Sequence, residues 1–229
     1  MVYITGDIHG NTKRIRAFAE QNNLNENDVI IILGDVGANY FGDMRDERTK
    51  IELSNIKANI LCIHGNHEMR PWEVDGYSLC DWNGGKAWVQ DQYPSLLFAK
   101  DGEIFTLEGM RYIVIGGAYS VDSEWRIRNN FGWWSSEQPN DEVKKYVEKQ
   151  IIENQVDIVL SHTCPRKFEP LEAFLSGVDQ ATVDKSTEDW LDTIEDNIKY
   201  KSWYCGHWHI DKDIDNMHFL FETWRMICD

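Results

Sequence analysis

The sequence predicts a mixed α/β fold, and three observations carry that expectation. Short runs rich in β-branched and aromatic residues alternate with stretches of helical periodicity. The middle of the chain breaks into apolar runs punctuated by turn residues, and neither an internal repeat nor a long linker divides the whole. With 229 residues the chain is long enough for a sizeable hydrophobic core, and one domain over residues 1–229 is expected.

Taken in order, residues 2–5 and 29–33 read as strands, apolar enough to be buried on both faces, and between them residues 12–21 place Ile15, Phe18 and Ala19 on one helical face. Residues 60–63 form a third apolar run. Residues 86–100 and 103–118 carry the turn signals Tyr93-Pro94, Asp101-Gly102 and Glu108-Gly109, which predict hairpins. A helix over 142–153 aligns Val143, Tyr146, Val147, Gln150 and Ile151, with Asn140 or Asp141 as its N-cap. Residues 157–160 are a fourth buried strand. Ser186-Thr187-Glu188-Asp189 opens a further helix bearing Trp190, Leu191, Ile194 and Ile198, residues 202–205 are a fifth strand, and residues 213–224 read as a closing strand pair.

Composition narrows the function. Hydrophobic residues at 42% and aromatics at 12%, with only 5 Pro and 16 Gly, exclude collagen-like, low-complexity and disordered chains. The net charge is −16. Strong nucleic-acid or anionic-membrane binding needs Lys and Arg to neutralise phosphates, so neither partner is expected, whereas divalent cations suit the charge. No basic leader region opens the chain and no apolar run approaches a membrane span of ~18 residues, which predicts a cytoplasmic protein. Five irregularly spaced cysteines without a C-x-x-C pair argue against a disulfide framework and a thiolate zinc site.

The chemistry lies in the segments at the exits of the five strand-like runs: Gly6-Asp7-Ile8-His9-Gly10, Gly34-Asp35, Gly65-Asn66-His67-Glu68, Ser161-His162 and Gly206-His207-Trp208-His209. Each places a small residue before a metal-capable side chain at the carboxyl end of a strand, where ligands bind in open α/β sheets. Five of the seven histidines fall in these segments. Asp7 with His9, and His207 with His209, are spaced by two, so extended backbone would aim both members of each pair to one side.

This ordered set, spread over positions 6 to 209, resembles the calcineurin-like metallophosphoesterase superfamily. The resemblance implies a two-sheet mixed β-sandwich flanked by helices, with a dinuclear metal site at one edge. It implies that Asp7, His9, Asp35 and His209 hold one metal and that Asp35, Asn66, His162 and His207 hold the other, with Asp35 bridging. Two divalent ions so held can share a hydroxide and orient a phosphoryl group for in-line attack. Manganese leads among candidate metals, and Fe, Zn, Co and Ni suit the same imidazole and carboxylate ligands. Neutral Asn66 leaves the pair net positive charge for a phosphate.

By the same resemblance His67 faces the leaving group without ligating metal, and Glu68 orients the loop. The resemblance also exposes a departure. Where the phosphoprotein phosphatases carry an Asp-Arg-Gly, Ala38 and Asn39 stand in Gly34-Asp35-Val36-Gly37-Ala38-Asn39-Tyr40. Asn39, Arg70 and Arg126, with Arg128 beside it, are the candidates to contact phosphate instead. Residues 116–139 hold Tyr119, Ser120, Asp122, Trp125, Arg126, Trp133 and Trp134 without periodicity and read as a substrate-facing loop. The tryptophans are assigned to packing and Cys164 to a passive role. The expected activity is hydrolysis of a phosphomonoester on a small molecule or protein. Diester or cyclic-nucleotide cleavage is the alternative, and a non-catalytic scaffold on the same fold is the competitor from another class.

Overall fold

The structure, a computed structural model, describes residues 1–227. Cys228, one of the five cysteines, lies outside the described residues. The strands are β1 (Val2–Thr5), β2 (Val29–Ile32), β3 (Asn59–Cys62), β4 (Tyr77–Trp82), β5 (Gly85–Gln90), β6 (Leu96–Ala99), β7 (Ile104–Leu107), β8 (Met110–Ile115), β9 (Ile158–Ser161), β10 (Ser202–Cys205), β11 (Lys212–Ile214), β12 (Met217–Phe219) and β13 (Trp224–Ile227). The helices are α1 (Thr12–Gln21), α2 (Met44–Ser54), α3 (Ser123–Arg128), α4 (Asp141–Glu153) and α5 (Ser186–Asn197). The strands form two mixed sheets, ordered β13-β1-β2-β3-β6-β5-β4 and β11-β12-β10-β9-β8-β7.

The period-2 alternation of each buried strand explains how these sheets stack. Val2 and Ile4, Val29 and Ile31, Leu61 and Ile63 from the first sheet meet Val114, Ile158, Leu160 and Tyr204 from the second in one central core. The opposite faces are apolar as well. Tyr3, Ile30, Ile32 and Ile60 pack on Ile15 and Ala19 of α1 and Leu53 of α2. Ile113, Val159 and Trp203 pack on Val147 of α4 and Trp190, Leu191 and Ile194 of α5. Two sheets back to back with helices outside is the expected sandwich, and continuous apolar strands are its cause.

The structure departs from the sequence reading in several local ways. Helix α2 has no counterpart in that reading because its sequence is nearly all polar. Its N-terminus is capped by Asp43, whose carboxylate accepts from the Arg45 amide at 2.9 Å, while buried Asp46 accepts from the Phe41 and Gly42 amides. Strand β4, none of whose residues is fully buried, has no counterpart there either. The closing strand pair is the β11–β12 hairpin, and Trp224 instead begins β13, which crosses to pair antiparallel with β1. Asn140, one of the two expected caps of α4, accepts from the Val143 amide at 3.0 Å.

Candidate active site

Strands β1, β2 and β3 run parallel, as do β9 and β10, so their carboxyl ends deliver five loops to one edge of the sandwich. Asp7 and His9 follow β1, Asp35 follows β2, Asn66 and His67 follow β3, His162 follows β9, and His207 and His209 follow β10. The extended spacing-by-two geometry is replaced by something tighter. His9, Asp35, His207 and His209 all have left-handed backbone, with φ of 44°, 47°, 65° and 50°. Such a conformation costs a non-glycine residue roughly 1–3 kcal/mol and persists only where the surroundings over-determine it. Here it turns each side chain back toward the others.

Two glycines show how closely the loops approach. A Cβ at Gly65 would strike the Asp35 carboxylate and amide, and one at Gly206 would strike the Asp7 carboxylate.

The donor atoms fall into two groups. In the first, His209 Nε2 lies 3.2 Å from Asp7 Oδ2 and 3.0 Å from His9 Nε2, which is 3.9 Å from both Asp7 Oδ2 and Asp35 Oδ2. In the second, Asn66 Oδ1 is met by His162 Nε2 at 2.8 Å and His207 Nδ1 at 3.1 Å, with Asp35 Oδ1 3.6 Å from His162 Nε2. Asp35 thus offers one oxygen to each group. Asp7 contributes to two clusters whose atoms lie within 4.8 Å of one another, with His9 and His209 and with Asp35 and His162.

The electrostatics ask for cations. Burial opposes the Asp7 carboxylate, yet His209 and the neighbouring histidines outweigh it and hold the group far below its ordinary pKa. Burial and His162 push His207 well below the imidazole range, while the bond to Asp7 raises His209. His162 donates its Nδ1 proton to the Leu33 carbonyl at 2.7 Å, which turns Nε2 toward Asn66 Oδ1 at 2.8 Å. The Asn66 amide nitrogen donates to Ser120 Oγ at 2.8 Å, which fixes that orientation. Lone pairs facing one another around two gaps are the donor set that a pair of divalent metals fits. Gly206→Ala is therefore expected to lower metal uptake while far-ultraviolet circular dichroism stays native-like, as read by metal analysis of the purified variant.

His67 stands beside this centre, its ring 5.8 Å from that of His9 and its amide donating to Asp35 Oδ1 at 2.8 Å. Burial lowers its pKa, Asp35 pulling the other way and Arg126 adding to the depression. The buried Arg126 guanidinium, delivered by α3, donates through Nη2 to His67 Nδ1 at 2.5 Å and contacts the Tyr40 hydroxyl at 3.3 Å. That bond leaves the His67 proton on Nε2. Arg126 Nη1 has no partner among the described residues.

Of the other expected phosphate contacts, Arg70 and Arg128 are paired with carboxylates. Arg70 is buried against Asp101 and donates from Nε to the Ser136 carbonyl at 2.9 Å, tying the loop after Asn66 to the second sheet. Arg70→Met is accordingly expected to cost about 3–5 kcal/mol of folding stability by stranding the Asp101 carboxylate, read by urea unfolding. Asn39 is buried, its Oδ1 accepting from the Tyr77 hydroxyl at 3.1 Å while its Nδ2 has no partner among the described residues. Arg128 is exposed in an ion pair with Glu124. Glu68, whose Oε1 accepts from the Gly65 amide at 2.9 Å, is pushed up to about 8 by burial and by Asp35, and braces the turn that carries Asn66.

A cleft of about 350 Å³ opens from Asp35, Asn66, His67, His207 and His209. Tyr119, Ser120, Val121 and Asp122 form one wall, so part of the 116–139 loop does face the cleft, while its centre is the short helix α3 rather than irregular chain. The facing wall is Phe174, Leu175, Val178 and Val183, with Glu188 and Trp208 at its base. The sequence alone assigns no role to Ser120's grip on Asn66 or to Glu188. Only the first has a signal there, its place in the 116–139 loop.

Burial pushes Glu188 up to about 7. The native protein keeps this proton where the unfolded chain has lost it, so wild type should lose stability relative to Glu188→Gln as pH rises from about 4.5 through about 7. Urea unfolding of metal-free protein across that window checks the sign.

Sheet order, strand-exit chemistry and donor set together describe a metal-dependent phosphoesterase fold. The matching family is that of the calcineurin-like phosphoesterases, whose model covers residues 1–211, and the chain belongs to it. Its fold is similar to that of TT1561 of Thermus thermophilus, with a TM-score of 0.55 at 12% identity over 96% of this chain and 87% of that one. A second solved structure matches with a TM-score of 0.53, also at 12% identity, over 96% and 88%. Identities this low speak for the fold alone. No curated protein matches the chain. The family's chemistry is metal-dependent hydrolysis of phosphoesters, generally at a dinuclear divalent site. No helix among the described residues is long and apolar enough to cross a membrane.

Proposed function

We propose that this protein is a phosphomonoesterase that works with two divalent metals, manganese foremost. Asp7, His9, Asp35 and His209 would hold one, and Asp35, Asn66, His162 and His207 the other. The observation that carries the reading is the placement of the Asp35 carboxylate, one oxygen toward each group of imidazoles. The metal pair, when bound, supplies an activated water and charge to stabilise the transferring phosphoryl group. The chain's own residues do the rest. His67 holds a proton on Nε2 and gives it to the departing oxygen, while Arg126 fixes the ring through Nδ1 and keeps its free Nη1 for a phosphate oxygen. Tyr119 to Asp122 and the apolar side chains Phe174, Leu175, Val178 and Val183 line the cleft beside them.

A diester reading draws support from the cleft's lining, which includes Phe174, Val178 and Trp208 as well as the metal-capable side chains and so offers surface to a second substituent. A scaffold reading is disfavoured by a donor set without gaps. Manganese-loaded protein assayed on p-nitrophenyl phosphate, bis-p-nitrophenyl phosphate and 2′,3′-cyclic nucleotides separates the three. Metal-dependent turnover, fastest on the monoester and abolished by chelation, is expected. A fully metallated protein inert toward every ester would return the scaffold.

A further inference from the structure

We propose that Glu188 recognises an N–H donor on a planar heteroaromatic leaving group, which makes the substrate class nucleoside monophosphates whose base presents such a donor. The inference rests on the phosphoesterase reading above and deepens it.

Glu188 is 3% exposed and sits in the first turn of α5, where it lines the cleft. Its Oε1 accepts from Thr163 Oγ1 at 2.8 Å, whereas Oε2 has no hydrogen-bond partner among the described residues. A buried acceptor left without a donor costs free energy that a bound ligand can recover. Gln180 Oε1, on the facing wall of the same cleft, is likewise without a partner. Thr163 follows His162 directly, so the Glu188 end is tied to the metal end.

The surroundings choose the kind of donor. Lys185 is the only lysine or arginine lining the cleft among the described residues, and it is neutralised by Glu169 at 2.8 Å and laid over the Phe174 ring at 4.7 Å. That arrangement disfavours a second phosphate at this end and already fills the place an aliphatic ammonium would take. Phe174 and Trp208 stack at 5.7 Å with 26° between their planes, and Val178 and Val183 extend the apolar wall. A flat ring with a polar N–H edge satisfies both the wall and the carboxylate, and about 350 Å³ accommodates a nucleotide.

The test compares GMP with 1-methyl-GMP, which has lost the N1–H, and with p-nitrophenyl phosphate at pH 8, where the Glu188 carboxylate is ionised and accepts, using manganese-loaded wild type and Glu188→Met, which offers no acceptor oxygen. In wild type kcat/KM for GMP should exceed that for 1-methyl-GMP by about tenfold or more, since sites built around a hydrogen bond reject analogues that lack it. In Glu188→Met that ratio should fall to within about threefold of unity. Equal rates for the two nucleotides in wild type overturn the proposal, a result that needs no folded variant. A ratio that survives Glu188→Met overturns the assignment to this residue. If p-nitrophenyl phosphate is not hydrolysed either, the phosphoesterase reading fails instead. Calorimetric binding of GMP and 1-methyl-GMP to the metallated protein then decides the recognition, equal affinities overturning it.

Discussion

Asp35→Ala is expected to release both metals together and abolish turnover. The carboxylate presents Oδ2 to His9 at 3.9 Å and Oδ1 to His162 at 3.6 Å, and Oδ1 also accepts the His67 amide. Removing it takes a ligand from each half and frees the loop that carries Asn66. Replacing the outer partners of metal ligands already costs roughly 10–100-fold in affinity or activity, so losing a shared ligand should exceed that. Metal content after manganese reconstitution and desalting should drop from two equivalents toward none. His209→Ala, which touches only the first group, should retain one. An Asp35→Ala protein that keeps a full pair would remove Asp35 from the bridge.

His67→Ala should behave in the opposite manner, keeping both metals yet losing about 10²–10⁴ in kcat, the span typical of a lost general acid. The loss should be largest on esters with poor leaving groups, which most need a proton. Arg126→Leu separates two functions of the guanidinium. Losing the Nδ1 contact frees the His67 tautomer and lowers kcat, whereas losing Nη1 as a phosphate contact raises KM. A fall in kcat with unchanged KM would assign Arg126 to positioning alone. Unchanged kcat on an alkyl phosphate in His67→Ala would exclude His67 from proton transfer.

Much of this arrangement is legible in the chain because its signals are local. Residues 2–5 and 202–205 are strands with the expected bounds, and 12–21 is the expected helix, since unbroken β-branched or aromatic runs and an i, i+3, i+4 stripe each need no distant partner to be recognised. Helix α2 escapes such a reading because its stabilisation comes from the Asp43 cap and from Asp46 gripping backbone amides, not from an apolar stripe. Arg70 and Arg126 look equivalent in the sequence. The fold buries one against Asp101 and the other against His67, and that difference depends on which loops meet.

The family and the identities of the metal-capable residues follow from the chain's order alone, because each short motif carries its own glycine, strand exit and donor. Which oxygen of Asp35 faces which histidine, which guanidinium lies against His67, and the unpartnered Glu188 Oε2 emerge only when residues separated by up to about two hundred positions are brought within a few ångströms. Hydrogen bonds and lone-pair contacts act over such short ranges, and one-dimensional patterns record spacing along a strand or helix but not approach across a sandwich.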